Sequence, residues 1–350
     1  MTRNAIAIVL LLGLAGCSRD AAPPGDPTGT AAPTGPRVYV SNEMSGTVSV
    51  VDPASRQVVA TITVGKRPRG IRASADGKTI FVALSGSPVG GPGVDESKLP
   101  PPDRQHDGIG VIDVATGRLT RVLNGGTDPE QFVISADGRR LFIANEDAGL
   151  TTVLDVDTGE IVKQVEVGGE PEGVDISPDG RFVYVTAEAD NQVFAIDTSS
   201  LDVAKVIDVG ARPRSTGFLP DAARAYVSAE NDAAVSIVDT TDHALIGRIE
   251  LPGEPRRRPM GVIAAPDGRH VFVTTGRGGT LARIDTATST VSGEVPVGER
   301  PWGVAISPDG RQLYTANGPS NDITIVDVAS WTVIGKVPVG ERPWGVVVIP

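Results

Sequence analysis

Cysteine and histidine, two residues that often bind metals or act in catalysis, are rare in this chain of 350 residues. Its one cysteine is Cys17, so no disulfide can form within the chain. Its three histidines, His106, His243 and His270, are scattered along the sequence, which argues against a metal site built from several histidines. Gly-x-Ser-x-Gly, Cys-x-x-Cys-His and phosphate-loop motifs are all missing. No motif therefore points to a particular catalytic reaction.

Positive charge and aromatic residues are also scarce. The formal net charge of −11 argues against nucleic acid as a partner, because no basic stripe could offset it. Aromatic residues make up only 4% of the chain, which suits many small sheets of valine, isoleucine and alanine. The 42 glycines and 28 prolines are abundant by contrast, and their regular spacing indicates turns rather than disorder.

What the chain has in quantity is a repeat. One copy, at 300–345, begins and ends with Arg-Pro-Trp-Gly, 42 residues apart. Inside it, turn signals separate four short β-branched runs at 303–307, 312–316, 323–327 and 332–339. Four short strands repeated at about forty residues are typical of a propeller blade. An aspartate that ends the third strand marks seven copies: Asp52, Asp113, Asp155, Asp197, Asp239, Asp285 and Asp327. We predict that these carboxylates accept backbone N–H groups in the following turn.

The two ends of the repeat region complete each other. Residues 345–350 (GVVVIP) have the pattern of a first strand, and residues 35–40 (GPRVYV) have the pattern of a second strand. We therefore predict one split blade, with its inner strand from the C-terminus and three strands from the N-terminus. That pairing closes the ring and removes an exposed sheet edge. The predicted fold is an all-β, seven-bladed β-propeller over 36–350, with four antiparallel strands per blade.

The first 35 residues are predicted to export and anchor the protein. Residues 1–17 have a basic start, an apolar stretch at 5–14 and a Leu-Ala-Gly-Cys end, which resembles the bacterial lipobox. The lipid would be attached to Cys17; an ordinary signal peptide with a chance cysteine is the alternative. Ser18 resembles the pattern of outer-membrane sorting. Residues 18–35, rich in proline, glycine, alanine and threonine, are predicted to be a flexible tether. We expect a lipid-anchored periplasmic protein, with the outer membrane favoured over the inner.

Two insertions interrupt the repeat. The longer one, at 85–108, has no strand pattern and carries His106. Long loops on rigid scaffolds are usually functional or disordered. The shorter insertion lies at 252–258, before the sixth blade.

One face of the predicted propeller collects charged residues, because the loops after strands two and four of each blade emerge there. Residues beside the proline that links successive blades divide this face into an acidic part, with Asp128, Glu130, Glu170 and Glu172, and a basic arc with two tryptophans. The candidate ligand-binding residues are Arg67, Arg69, Arg212, Arg214, Arg258, Arg300, Trp302, Arg342, Trp344 and His106. Such an arc can bind a planar carboxylate or the acidic edge of a protein. A salt-bridged, solvated rim is the alternative. Arg72 and Asp175, on otherwise apolar inner strands, are interpreted as structural.

The repeats resemble a known family. Second strands such as YVSN, YVTA and YTAN, followed by V-x-V-x-D, resemble the YVTN-type β-propellers, related to YncE-like proteins, over about 37–350. A narrower resemblance, to the PQQ-dependent catabolism-associated β-propeller proteins, lies in PPPDRQHDGIGVID (100–113), DPEQF (128–132), RPRS (212–215), RPMGV (258–262) and LYTANGPSND (313–322). This resemblance implies a periplasmic accessory role beside quinoprotein alcohol oxidation, although the lipobox departs from that family's ordinary export signal. A weaker resemblance is to haem d1 propellers, which need axial and distal histidines that this chain mostly lacks.

The expected function is that of an exported, monomeric, non-enzymatic accessory or binding protein, held at the membrane only by its lipid. Its ligand would be PQQ or another small anion, and its partner a periplasmic quinoprotein dehydrogenase; no metal is expected. The alternatives are a propeller enzyme such as a lactonase, with a metal held by Glu and Asn at the mouth, a haem d1-binding protein, and a plain protein-interaction platform.

Overall fold

The computed structural model describes residues 35–90 and 94–350, which belong to one compact unit, Gly35–Pro350. The predicted export signal, Cys17 and all but the last residue of the predicted tether lie outside the described residues. Among the residues that are described, no helix is long and apolar enough to cross a membrane.

Short strands, numbered β1 to β28 in chain order, make up most of the described chain. Blade 1 contains β1 (Arg37–Asn42), β2 (Thr47–Asp52), β3 (Gln57–Thr63) and, as its inner strand, β28 (Pro343–Ile349). Blade 2 contains β4 (Ile71–Ala73), β5 (Thr79–Leu84), β6 (Gly108–Asp113) and β7 (Arg118–Leu123). Blade 3 contains β8 (Pro129–Ile134), β9 (Arg140–Asn145), β10 (Leu150–Asp155) and β11 (Ile161–Glu166). Blade 4 contains β12 (Pro171–Ile176), β13 (Phe182–Ala187), β14 (Gln192–Asp197) and β15 (Val203–Asp208).

The remaining blades repeat this order. Blade 5 contains β16 (Pro213–Phe218), β17 (Arg224–Ala229), β18 (Ala234–Asp239) and β19 (Ala244–Glu250). Blade 6 contains β20 (Val262–Ala264), β21 (His270–Thr274), β22 (Thr280–Asp285) and β23 (Thr290–Pro296). Blade 7 contains β24 (Pro301–Ile306), β25 (Gln312–Asn317), β26 (Asp322–Asp327) and β27 (Thr332–Pro338). Single-turn 3₁₀ helices occur at Glu96–Lys98, Arg104–His106, Glu146–Ala148 and Gly276–Gly278.

Each blade is a four-stranded antiparallel sheet, and the described residues form seven of them, which confirms the predicted fold. The split blade is also confirmed: β28 pairs with β1, with Val38 opposite Val348 and Val40 opposite Val346. Val346 packs in a core cluster with Val38, Val40 and the blade 7 residues Tyr314 and Ala316. The last strand of the chain thus joins the first blade to the last.

The repeated aspartates cap turns, as predicted. Asp113 accepts hydrogen bonds from the backbone N–H and the hydroxyl of Thr116, each at 2.7 Å. These hydrogen bonds to the charged form lower the pKa of Asp113. The carboxylate is therefore satisfied locally, which supports a structural role for this position.

Packing between blades supplies the core. Phe81 and Leu123 of blade 2 pack with Phe132, Leu141 and Ile143 of blade 3, and the other blade interfaces are built in the same way. Because neighbouring blades cover both faces of a sheet, the second strands are buried along nearly their whole length, as in β9. The outer strands are instead largely exposed, as in β11, and charged residues such as Lys163 and Glu166 oppose edge-to-edge association.

Removing residues 344–350 should unfold or aggregate the protein. The truncated blade 1 would lose a buried ladder and the packing of Val346 against blade 7, at a cost of about 3 kcal/mol or more. Solubility and melting temperature measure the effect. Deleting Pro350 alone, which lies beyond β28 and is exposed, is the control and should change neither quantity. If the longer truncation melts with the full-length protein, β28 does not close the ring.

Candidate functional site

The loops after the second strands and the links between blades surround a cavity of about 1000 Å³, which we call the mouth. It is lined by links and post-strand loops of blades 1, 2, 3, 4, 5 and 7 and by two pieces of the long loop of blade 2, 87–90 and 99–102. Beneath it a channel of about 280 Å³ runs between the inner strands. The two spaces share Glu172, Arg214, Trp302 and Trp344. The face predicted to carry the site is therefore the face with the mouth.

The residue before each link proline has a strained backbone in six blades. Arg67, Asp128, Glu170, Arg212, Arg300 and Arg342 have φ between 40° and 57°. Side chains rarely adopt this left-handed region, which costs about 1 kcal/mol or more per residue. A hydrogen bond holds it: the carbonyl of Arg342 accepts from the N–H of Glu43 at 3.0 Å, and that of Arg212 accepts from the N–H of Glu230 at 2.9 Å. The strain therefore places each link residue beside the first residue after a second strand.

The residue after each link proline forms a second ring, which we call the floor ring: Arg69, Glu130, Glu172, Arg214, Met260, Trp302 and Trp344. The glycine that follows it lets adjacent inner strands approach closely. A Cβ added at Gly303 would lie 2.6 Å from the carbonyl oxygen of Trp344, and one added at Gly345 would lie 2.6 Å from that of Arg69. The floor ring is thus fixed by backbone contact between blades.

Arg69 is buried among carboxylates. Its guanidinium contacts Asp128 at 2.6 Å, Glu146 at 3.5 Å and Glu130. The hydroxyl of Ser85 also donates to Asp128. Burial raises the pKa of Asp128, but Arg69 and this hydroxyl outweigh it, so the net shift is downward. Arg69 is therefore neutralised by the acidic part of the mouth.

A second buried cluster surrounds Arg214. Its guanidinium contacts Glu172 at 2.5 Å, Glu230 at 3.8 Å and Glu188. Arg212 contacts Glu188 at 2.7 Å and Glu230 at 3.4 Å. The basic arc predicted from the sequence is thus already paired here. A single carboxylate, Glu43, likewise contacts both Arg67, at 3.0 Å, and Arg342, at 3.1 Å.

Arg300 is different, because it forms no ion pair with any described residue. Its Cζ atom lies 5.2 Å from the ring centroid of Trp302, and the Cζ atom of Arg342 lies 5.1 Å from the same centroid. Burial lowers the pKa of Arg300, and the charges of Arg277 and Arg342 lower it further. Positive charge thus accumulates at this edge of the mouth.

The structure corrects the predicted role of Trp302. An exposed ring would be needed for Trp302 to stack on a ligand, but the side chain is only 8% exposed and two guanidiniums lie over its ring. Trp344 is less buried, and its ring lies 6.3 Å from that of Trp302 at an angle of 55°. Trp302 therefore positions the arginines, and Trp344 offers the accessible aromatic surface.

Two other candidates lie apart from the mouth. His106 is exposed on the long loop, where its Nδ1 lies 2.9 Å from Asp103, and it does not line the cavity. Arg258 donates to the side-chain oxygen of Asn231 and is not a lining residue either. The sequence pattern placed both residues on the right face but could not place them relative to its centre.

The long loop is tied to the mouth by groups that the sequence analysis did not single out. Asp107 accepts from the N–H of Gly86 at 2.6 Å and from that of Asp128 at 2.9 Å. Arg104 contacts Asp147 of blade 3 at 2.5 Å. In the sequence, the DRQHD segment at 103–107 stands out as part of a family resemblance. Its high density of charged residues is the feature that could have indicated these ion pairs.

The histidines also decide whether a haem fits. His243 is buried between blades 4 and 5, where Nδ1 bonds the hydroxyl of Tyr184 at 2.6 Å, and burial lowers its pKa. His270 stacks on Phe272, with ring centroids 6.2 Å apart. Neither these two histidines nor His106 lines the mouth. The described residues therefore do not provide the axial histidine that a haem would need there.

Two family models match separate parts of the chain. Residues 259–350 match the YNCE-like beta-propeller, and residues 103–229 match the Cytochrome D1 heme domain. The chain is a seven-bladed β-propeller, and its residues 259–350 are similar to YncE-like propellers. The blades matched by the haem d1 model carry no mouth-lining histidine among the described residues, so this match supports the propeller repeat and not a haem site.

Solved structures share the fold at low identity. A proposed 6-phosphogluconolactonase of Bacteroides fragilis is 19% identical, with a TM-score of 0.72 over 93% of this chain and 100% of that one. A chain of the Kuenenia stuttgartiensis hydrazine synthase is 20% identical, with a TM-score of 0.67 over 81% of this chain and 95% of that one. A Lactobacillus plantarum protein is 16% identical, with a TM-score of 0.74 over 90% and 99%. These likenesses show the fold alone.

One curated relative matches a short part of the sequence. The PE-PGRS family protein PE_PGRS18 of Mycobacterium tuberculosis is 45% identical over 49 residues, which is 14% of this chain and 11% of that protein. The chain thus spans a small fraction of that relative's length, and so short a match shows no activity for this chain.

Replacing Gly303 by alanine should destabilise the protein, because the new Cβ would meet the backbone of Trp344 and Gly345 rather than a movable side chain. We expect a loss of about 1–3 kcal/mol, measured by denaturant unfolding. Gly247→Ala is the matched control, since its added Cβ would make only an ordinary contact, 3.4 Å from Ile237. Equal stability of the two variants would show that the inner strands can separate at no cost.

Proposed function

We propose that this protein is a non-enzymatic, exported, lipid-anchored binding protein whose mouth takes a planar anionic ligand. The observation that carries the proposal is the arginine pair on Trp302. Of the arginines that line the mouth, Arg300 alone forms no ion pair with a described residue, and it lies beside Arg342 and the accessible Trp344.

The energetics favour an anion at this edge. A partly buried guanidinium loses hydration, and one without an ion pair has no counterion to offset that loss. A carboxylate placed against Arg300 and Arg342 would restore that loss through charge-assisted hydrogen bonds, each contributing about 1.5–3 kcal/mol. The ring of Trp344 would add stacking area for a flat ligand. A planar polycarboxylate combines both features.

PQQ is the ligand that we propose to test first. The motifs at 100–113, 128–132 and 313–322 resemble those of propellers associated with PQQ-dependent catabolism, and PQQ is planar and carries carboxylates. The partner on this proposal is a periplasmic quinoprotein dehydrogenase, and the protein would act as an accessory to alcohol oxidation. Co-purification under oxidising periplasmic conditions would support this partnership.

A lactonase is the competing function, and one observation favours it: a proposed 6-phosphogluconolactonase shares the fold over nearly the whole chain. A lactonase of this kind is expected to hold a metal ion at the mouth. In the described part of the chain, no group of three or more His, Cys, Asp or Glu side chains is arranged to hold one. The mouth carboxylates Glu43, Glu172 and Glu188 contact arginines instead. Metal analysis and a lactone-hydrolysis assay separate the two functions, whereas a plain interaction platform predicts no small-molecule effect at all.

Arg300→Gln should weaken PQQ binding about tenfold or more, since it removes a charge-assisted contact, and the loss should shrink at high salt. Trp344→Ala should weaken binding several-fold with little loss of stability. Calorimetry and thermal shift on the same variants measure both effects. Arg311→Gln is the control, because the side chain of Arg311 is exposed beside a hairpin turn and its guanidinium contacts Asp309 of that turn rather than the mouth.

Trp302→Ala separates positioning from direct stacking. Because Trp302 is buried, this variant should melt lower, by an amount that corresponds to about 3 kcal/mol of lost aromatic burial. If Arg300→Gln and Trp344→Ala bind every tested planar anion as the control does, the mouth is not the binding site.

Cys17→Ser should release the protein from the membrane fraction. The lipid predicted at Cys17 supplies the membrane affinity on this proposal, and a serine cannot carry the thioether-linked lipid. Membrane fractionation and mass spectrometry of the mature N-terminus measure the change. A serine variant that stays in the membrane fraction would contradict the proposed anchor.

A further inference from the structure

The two buried clusters around Arg69 and Arg214, which together we call the floor of the mouth, contain more carboxyl groups than guanidiniums. Arg69 contacts Asp128, Glu130 and Glu146, and the pair Arg212 and Arg214 contacts three further carboxyl groups. These are Glu172, Glu188 and Glu230. Six carboxyl groups thus share three cations, which leaves an excess of three negative charges if every group is ionised.

Burial makes this excess costly. The residues Asp128, Glu130 and Glu172 are 3%, 3% and 4% exposed, and Glu188 is 4% exposed. Buried carboxylates without a counterion take up protons, because the neutral form avoids the desolvation penalty. The charge count therefore favours uptake of a proton by these carboxyl groups, against the attraction of the three arginines.

The geometry indicates where a proton is held. Glu172 and Glu188 contact neighbouring nitrogens of the same guanidinium, Arg214, so the two buried carboxyl groups lie side by side and repel each other when both are ionised. Two carboxyl groups can share a hydrogen bond only if one of them carries a proton. Burial raises the pKa of Glu172 well above its usual range, while Arg214 and Arg212 overcome burial and lower that of Glu188.

Other charged groups face this pair from every neighbouring blade. Blade 3 contributes Glu146, whose pKa burial also raises, together with the Arg69 cluster. Blade 5 contributes Arg212, Arg214 and Glu230. The charge of Glu230 also acts on Arg300, so the acidic floor and the basic edge of the mouth are electrostatically coupled. An anion at the basic edge would therefore raise the cost of ionised carboxylates on the floor.

We propose that the mouth binds its anionic ligand together with a proton, which is held between Glu172 and Glu188. This rests on the proposed function, because it assumes an anion at Arg300 and Arg342. Proton uptake on binding means that affinity rises as pH falls, by up to about tenfold per pH unit for one proton. The ligand class that fits is a planar polyanion that binds more tightly in a mildly acidic periplasm.

Calorimetry with naphthalene disulfonate tests the proposal, because the charge of this planar probe is constant across the working pH range. Titrations in two buffers of different ionisation enthalpy at one pH give the number of protons taken up. We expect uptake by the wild type and affinity that increases from about pH 8 to about pH 6. Glu172→Gln should abolish the uptake and flatten the pH dependence. Glu160→Gln, which changes an exposed acid of a blade 3 turn, should behave as the wild type.

A second arm does not depend on any ligand. Infrared difference spectra of the free protein should show the carbonyl band of a protonated carboxyl group grow as the pH falls from about 8 to about 6, and Glu172→Gln or, if that variant fails to fold, Glu188→Gln should remove this change. Binding of the probe without proton uptake would overturn this inference and leave the proposed function intact. Absence of binding would overturn both the proposed function and the coupling, and the infrared band would then report only a structural proton.

Discussion

The close approach of neighbouring inner strands is the contact on which the rest of the molecule depends. Where a glycine follows the floor residue, as at Gly303 and Gly345, the carbonyl oxygen of the next blade occupies the space that a side chain would need. The residue that supplies this carbonyl is itself a member of the floor ring. This contact between a glycine and a neighbouring carbonyl brings the inner strands close together around the channel. It also fixes the positions of the floor-ring side chains in the mouth. Blades 3 and 5, which have Gln131 and Ser215 in the glycine position, carry the charged clusters beside this packing.

The repeat places the same backbone positions around the mouth in every blade, but the side chains at those positions differ from blade to blade. The two link positions of each blade recur around the mouth, yet they carry acids in blades 3 and 4, arginines in blade 5, and arginine with tryptophan in blades 7 and 1. Acids and arginines from adjacent blades neutralise each other, because their side chains meet over the same floor. The tryptophans interrupt that alternation, and a tryptophan cannot neutralise an arginine. For this reason Arg300 is left without an ion pair in the described chain, and the basic edge of the mouth keeps an unneutralised positive charge.

The sequence was sufficient for the fold and insufficient for the pairing. Strand ends, turns and the split blade follow from local signals, and β24 to β27 lie within two residues of their predicted bounds. The second-strand ends and link prolines also predicted which face carries the mouth. Ion pairs such as Arg214 with Glu172 join different blades, and their formation depends on side-chain reach that spacing does not reveal. Trp302 was misjudged for the same reason, since Arg342 from the next blade covers it. His106 was misjudged because the path of a long insertion has no local signal.

The basic edge of the mouth and the closure of the ring both depend on β28. Arg342 precedes β28 and Trp344 lies within it, while β28 is held in blade 1 by its pairing with β1. An anion bound by Arg300 of blade 7 and Arg342 of blade 1 would therefore connect the two blades that meet at the closure. A ligand that binds only the closed ring stabilises it by a free energy that grows with the logarithm of its concentration over its Kd. Melting temperature should therefore rise with occupancy, because the residues that hold the ligand belong to the two blades that meet at the closure, where β28 is joined to β1 by strand pairing and not by a covalent link.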